Sequence, residues 1–346
     1  MSNIKKVAKL AGVSPSTVSN VLNGTKYVSD ETKEKVTMAV KELDYKPDIS
    51  ARNLRGKKTK SVGVAVPSIS NPFYSNITKG IEDFCSSKGY SVLLSNTFHR
   101  KQKELQAINL FIEKKVDGII SVSITKNIEE LQKIIKTNVK IVSLDQDLVL
   151  DKVDSVELNN FKGGFMATQY LIDLGYNDVA FISGPLNRQT RRERYKGYIQ
   201  AIKSNNKKLN KNFIRISKNE EKTICNNFED VYEFNNGYNQ MASLINNNYP
   251  DAVFAINDIT AVGCIKAIYE SNLRIGKDIS IIGFDNTSLS KFSTPGLTTV
   301  AQPMYKMGSL SAKMLLQRIQ NEYTGIKRKK ILKPKIIKRS STRANN

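Results

Sequence analysis

The chain has 346 residues, more than one domain of ordinary size, so two or three compact units with a sizeable core are expected. No run approaches the ~20 consecutive apolar residues that span a bilayer, and Met1-Ser2-Asn3-Ile4-Lys5-Lys6 leads into a polar stretch with no signal-peptide core, so a cytoplasmic protein with no membrane partner is expected. A formal net charge of +22 points to polyanions, while three scattered cysteines (Cys85, Cys225, Cys264) and a single histidine argue against a disulfide framework, a metal site or a cofactor-bearing enzyme.

Ile4, Val7, Ala8, Leu10 and Ala11 sit at helical spacing, and Gly12 allows a tight turn. Ser14-Pro15 then reads as an N-cap with proline in the first helical position, opening a helix whose apolar face is Thr17, Val18, Val21 and Leu22 and whose stop is Asn23-Gly24. Ser29-Asp30-Glu31 opens a third, with Val36, Ala39, Val40 and Leu43 turned inward. A helix-turn-helix and an ordinary helical hairpin fit this pattern about equally. Lys46-Pro47 ends the third helix, and residues 48–55 are helix-compatible but too short to be stable except against a partner.

From Ser61 onward short apolar strands (62–66, 91–95, 118–122, 141–144, 179–183, 252–256, 279–284, 298–301) alternate with amphipathic helical runs. So many β-α units predict an α/β fold of two doubly wound lobes facing a cleft, with any ligand at the carboxyl ends of the strands. Those ends carry Asn71-Pro72-Phe73-Tyr74, Asp145-Gln146, Asn257-Asp258, Asp285-Asn286 and Gln302, and Arg194 follows another. Each alone is equally an ordinary turn or cap. Together they supply the planar donors, acceptors and flat apolar faces that a neutral polyol needs. The basic cluster after residue 326 alternates with Ile331, Leu332, Ile336 and Ile337 as on a half-exposed strand.

Val7-Ala8, Ala11-Gly12-Val13-Ser14, Thr17-Val18-Ser19-Asn20-Val21-Leu22-Asn23, Leu43-Asp44-Tyr45-Lys46-Pro47 and Ala51-Arg52-Asn53-Leu54 form a dense, ordered pattern that resembles the lac/galactose repressor family. Further landmarks run to Ser340-Ser341-Thr342-Arg343, so the resemblance spans essentially the whole chain. It implies a sequence-specific repressor with a helix-turn-helix domain over 1–60, a hinge helix at 48–56, and a periplasmic-binding-protein-like domain over 61–346. Lobe one is expected at about 61–160 and 294–324, and lobe two at about 161–293 and 325–346.

By the same resemblance Pro15, Ser16 and Asn20 face base edges, Thr17 and Ser19 hold phosphates, and Leu54 is an apolar wedge in the minor groove, with Asn23, Ala51 and Arg55 completing the DNA-facing set. Phe73 and Tyr74 would flank a sugar effector whose hydroxyls meet Asp145, Arg194, Asn257, Asp285 and Gln302. The implied partners are a near-palindromic double-stranded operator, that sugar, and a second copy in a homodimer. Lys6 departs from the acidic residue of many members, and Gln146 from the arginine of some ribose-binding relatives.

Three rivals stand beside this reading. A catabolite-control regulator with a phosphorylated carrier protein as corepressor is a second branch, but Lys306 and Lys313 stand where that branch would carry an acidic residue and an arginine. A sugar-binding transport protein would explain the cleft but not the first sixty residues. An enzyme would have to use His99, whose neighbours Thr97-Phe98-His99-Arg100-Lys101 read as a solvated loop, and Gly56-Lys57-Lys58-Thr59 lacks the upstream glycine of a phosphate loop.

Overall fold

The computed structural model describes residues 3–24 (Asn23 by its backbone), 26–45, 58–122, 137, 139–146, 153–218, 229–247 and 249–343. Two units form, Met1–Thr59 and Lys60–Asn346.

In the first unit α1 (Ile4–Leu10) is capped by Asn3, whose Oδ1 accepts from the Lys6 amide at 3.0 Å. The chain turns at Gly12 with a φ of 66°, a conformation glycine adopts without steric cost. Then α2 (Pro15–Asn23) starts at Ser14, whose Oγ accepts from the Thr17 amide at 3.1 Å. With α3 (Asp30–Glu42) these helices bury Val7, Ala8, Ala11, Val18, Val36 and Ala39 in one small core. The expected hinge helix, with Ala51, Leu54 and Arg55, lies outside the described residues.

The second unit holds two six-stranded sheets. The first has the order β11-β5-β4-β3-β1-β2, from β1 (Ser61–Val66), β2 (Ser91–Asn96), β3 (Gly118–Val122), β4 (Lys140–Leu144), β5 (Asp154–Leu158) and β11 (Lys329–Leu332). Helices α4 (Pro72–Ser87) and α11 (Met304–Ile319) cover one face through Ile77, Ile81 and Leu315, and α5 (Lys101–Glu113) covers the other through Ala107, Ile108 and Phe111. The second sheet has the order β12-β10-β9-β8-β6-β7, from β6 (Val179–Ser183), β7 (Ile214–Ile216), β8 (Ala252–Ala255), β9 (Ser280–Asp285), β10 (Thr298–Ala301) and β12 (Lys335–Ile337). Around it pack α6 (Asn160–Asp173), α7 (Gln189–Ser204), α8 (Glu229–Asn247) and α9 (Asp258–Glu270), with the short α10 (Ser288–Phe292) preceding β10. All described strand pairs are parallel except β10 with β12. Both faces of each sheet are thus covered, as the near-continuous apolar strands require.

The chain passes between sheets after β5, after β10 and after β11. The lobe limits expected from sequence therefore need correction at two places. Thr298–Ala301, expected in lobe one, pairs with β9 of the second sheet, and Lys329–Leu332, expected in lobe two, pairs with β5 of the first. Alternating apolar residues identify a strand but say nothing of which sheet receives it.

Candidate effector cleft and DNA-facing helix

The strand ends predicted to carry a site do converge. After β1, Asn71 Oδ1 caps α4 by accepting from the Phe73 amide at 2.9 Å, and this places Phe73 and Tyr74 side by side, their ring centroids 4.9 Å apart and nearly perpendicular. Both are buried. After β4, Asp145 takes a φ of 69°, its amide donates to the Val156 carbonyl at 2.9 Å, and its Oδ1 is buried with no hydrogen-bond partner among the described residues. Burial pushes this carboxyl up to about 7 against the pull of Arg194 and Arg188, with Glu157 adding to the rise.

Arg194, on α7, is the hub. Its Nε donates to Asn160 Oδ1 at 2.8 Å, its Nη1 donates to the Ile256 carbonyl at 2.8 Å and lies 3.7 Å from Asp285 Oδ1, and the guanidinium carbon sits 3.6 Å from the centre of the Phe284 ring. Gln302, at the end of β10, donates from Nε2 to Asp285 Oδ1 at 2.6 Å, leaving its own Oε1 buried and without a partner among the described residues. Burial raises the Asp285 carboxyl well above the ordinary range although Arg194 opposes it. Asp145, Arg194, Asp285 and Gln302 form one electrostatically linked cluster beside Tyr74. Asn257 is otherwise engaged: its Oδ1 caps α9 by accepting from the Thr260 amide at 2.8 Å. Its neighbour Asp258 is wholly buried, accepting from the Thr287 amide at 2.7 Å and from the hydroxyls of Thr287 at 3.0 Å and Thr299 at 2.5 Å, which braces the loop after β9.

The sequence reading of His99 is corrected. Its side chain is only 11% exposed, and Nε2 lies 2.7 Å from Glu229 Oε1 at the start of α8. The same oxygen accepts from Arg188 Nη1 at 2.7 Å, and Asn71 Nδ2 reaches Glu229 Oε2 at 3.5 Å. Nearby Arg191 pairs with Glu233, which also accepts from the Thr260 hydroxyl at 2.9 Å. None of Glu229, Arg188 or Glu233 stands out in sequence, because each looks like an ordinary surface charge until its partner is placed.

On α2 the packing splits the helix by face. Val18 is wholly buried, while Pro15 and Ser16 are exposed and Thr17, Ser19 and Asn20 lie at the margin. Each of these predicted contact residues is thus at least partly exposed, and Ser16 and Asn20 lie opposite Val18. Among the described residues no helix is long and apolar enough to cross a membrane, and no group of three metal-ligating side chains converges.

Residues 3–48 match the family described as bacterial regulatory proteins, lacI family, and residues 168–342 match a periplasmic binding protein-like domain. The HTH-type transcriptional repressor PurR of Pasteurella multocida (strain Pm70) is 36% identical over 93% of each chain, and that of Actinobacillus pleuropneumoniae serotype 3 (strain JL03) is 34% identical over the full length of both. The chain belongs to the LacI family. Its fold is similar to that of a chain from the crystal structure of the lac repressor dimer bound to operator and the anti-inducer ONPF, with a TM-score of 0.85 at 28% identity over 99% of each chain. The transcriptional regulator CelR in complex with cellobiose superposes with a TM-score of 0.71 at 26% identity, covering 99% of this chain and 100% of that one. A LacI family regulator from Enterococcus faecium with bound ribose gives 0.71 at 28% identity, over 83% and 100%. The chain is accordingly a LacI-family DNA-binding repressor, and its relatives are repressors, not enzymes.

Proposed function

We propose that two copies of the chain bind a near-palindromic operator and that a small ring compound held between the two sheets sets the affinity. Pro15, Ser16 and Asn20 would read base edges, Thr17 and Ser19 would hold phosphates, and residues 48–56 would fold in the minor groove with Leu54 as a wedge, Asn23, Ala51 and Arg55 adding contacts. The observation that carries the effector half is the Arg194 hub, which gathers groups from several strand ends and leaves buried polar atoms unpaired beside two aromatic rings. Closing the cleft on a ligand would shift the posture of the hinge and so its folding on DNA, a coupling of roughly 1–3 kcal/mol in regulators of this kind.

A sugar is supported by the structural neighbours bound to cellobiose and to ribose. A flat purine base is a second reading, favoured by the cluster itself. Arg194 and Gln302 Nε2 are already bonded within the protein, so few polar atoms remain for the many hydroxyls of a sugar, while Phe73, Tyr74 and His99 offer ring faces. The test is a mobility-shift titration of the full chain on genomic operator candidates against bulk competitor, with and without pentoses, hexoses and purine bases. A compound that changes specific retention identifies the class. No preference for any fragment under any condition would end the proposal.

A further inference from the structure

Asp285 and Asn286, where the chain leaves β9 for the short α10, both have positive φ, 116° and 60°. The left-handed region near 60° suits asparagine, but 116° is a conformation that an L residue keeps only where its surroundings impose it. Here it turns Asp285 toward Gln302 and Arg194. The Asp285 carbonyl accepts from the Gln302 amide at 3.2 Å, and its Oδ1 accepts from Gln302 Nε2 at 2.6 Å and lies 3.7 Å from Arg194 Nη1.

The turn is fastened from two sides. On one, Asp258 accepts from the Thr287 amide and hydroxyl and from the Thr299 hydroxyl, whose oxygen in turn accepts from the Asn286 amide at 3.3 Å. On the other stands Arg339, just past β12. Its Nη2 donates to Asn286 Oδ1 at 2.7 Å, and its Nη1 donates to the Leu297 carbonyl at 2.6 Å and to Ser290 Oγ at 3.2 Å. One planar guanidinium thus ties the turn, α10 and the approach to β10 to the C-terminal segment. That segment is itself seated on the sheet, the Ser341 hydroxyl donating to the Ile281 carbonyl at 2.7 Å and accepting from the Thr298 amide at 2.8 Å.

Resting on the reading of the cleft as the effector site, we propose that Arg339 is a positioning residue for effector binding: by clamping Asn286 it keeps the strained turn in the arrangement that presents the Asp285 side chain to the cleft. Without the clamp the turn relaxes toward ordinary backbone angles in a share of the molecules, and only the remainder are competent to bind. Apparent affinity falls by that share, while saturating effector draws the population back. Loss of Arg339 therefore displaces the midpoint of the effector response and leaves its full extent in reach. A residue that served only the stability of the lobe would lower the melting temperature and leave the midpoint in place.

The experiment follows operator retention of the full chain against the concentration of D-ribose, cellobiose, adenine or hypoxanthine, in wild type, Arg339→Ala, Asn286→Gly, the double variant and Ser341→Ala. With a probe that acts on the wild type, Arg339→Ala is expected to raise the concentration for half response roughly tenfold and to reach the wild-type response at saturation. Asn286→Gly removes the anchor while tolerating the positive φ, and adding Arg339→Ala to it should move the midpoint no further, because both act through one contact. Ser341→Ala loosens the seat of the C-terminal segment on β9 and β10, and should lower the melting temperature with the midpoint in place. An unmoved midpoint in Arg339→Ala, additive shifts in the double variant, or the same shift in Ser341→Ala overturns the proposal. If no probe acts on the wild type, the effector reading of the cleft fails, and hydrogen exchange in the free chain decides the clamp. The Asn286 and Thr287 amides should then exchange roughly tenfold faster in Arg339→Ala than in wild type, while those of Ile281 and Ile282 in β9 change less. A turn as protected as in wild type, or an acceleration shared equally with β9, overturns it.

Discussion

His99 Nε2 and Glu229 Oε1 lie 2.7 Å apart, and this one contact ties the loop after β2 of the first sheet to the first turn of α8 on the second. Arg188 and Asn71 reach the same carboxylate, which is only 5% exposed, so the lobes are latched around a buried charge with partners on both sides. Burial alone would raise the Glu229 carboxyl. The charges of His99 and Arg188, with their hydrogen bonds, outweigh burial and hold it far below the ordinary range.

Replacing Glu229 by Gln leaves His99 and Arg188 facing a neutral amide in a site with little water, and a loss of roughly 3 kcal/mol is expected. The sign with pH follows from the depressed acidity. The wild-type advantage is fully present above the ordinary glutamate value of 4.5 and is lost as pH falls toward the depressed one. Urea unfolding of both chains, at neutral pH and at a series of acidic ones, reads this directly. An advantage that persists undiminished in acid contradicts the latch.

Arg194→Ala removes the donors that hold Asn160, the Ile256 carbonyl and Asp285 together. A stability loss of roughly 3–5 kcal/mol is expected, since a buried carboxylate loses its counter-charge. In chains that remain folded by circular dichroism, operator retention should persist while the effector response disappears. Loss of DNA binding in a folded Arg194→Ala chain would count against the separation of roles between the two units.

What could be read in the sequence follows a physical divide. Strands such as Val179–Ser183 and Gly118–Val122, and the capped helices at Ser14 and Asn71, are legible because their signals are local: an apolar run, or a polar residue ahead of proline. Asp154–Leu158 was not anticipated, since it opens on an aspartate and carries a glutamate, both unfavourable in a buried strand. Its charge is matched from far away, Arg318 Nη2 and Arg328 Nη2 each lying 2.7 Å from a different Asp154 oxygen. His99 escaped for the same reason, its partner being 130 residues distant. Of the expected effector set, Phe73, Tyr74, Asp145, Arg194, Asp285 and Gln302 gather at the strand ends, whereas Asn257 also serves as a helix cap, a use that sequence alone could not separate from ligand binding.

Asn20→Ala should separate specific from nonspecific DNA binding. Asn20 stands one turn from the exposed Ser16 on α2, opposite the buried Val18, so its removal costs the core little. An amide paired with adenine is worth roughly 1–3 kcal/mol of discrimination. Retention on the selected operator should therefore fall, while binding to random competitor and its dependence on salt stay as in the wild type. Equal losses on both DNAs would assign Asn20 to the phosphate backbone.

Gly164→Ala tests whether helix packing sets the effector site. Helices α6 and α7 cross at two facing glycines: a Cβ at Gly164 would stand 2.1 Å from the Arg194 carbonyl oxygen, and one at Gly197 would stand 2.2 Å from that of Phe161. Backbone cannot yield as a side-chain end can, so the helices must part, at a cost of roughly 1–3 kcal/mol. Parting them shifts the backbone that carries the Arg194 guanidinium away from Asp285 and the Ile256 carbonyl. Both the melting temperature and the effector response should fall while operator binding survives. Gly118→Ala is the matched control, because a Cβ there, at the opposite end of its strand from the cleft, would meet Leu315 Cδ1 at 2.8 Å and Ile319 Cδ1 at 2.9 Å and press α11 away from β3. A loss of stability with the effector response kept in Gly118→Ala, and lost in Gly164→Ala, is the expected contrast. If both variants keep the response, the seating of Arg194 does not depend on this crossing.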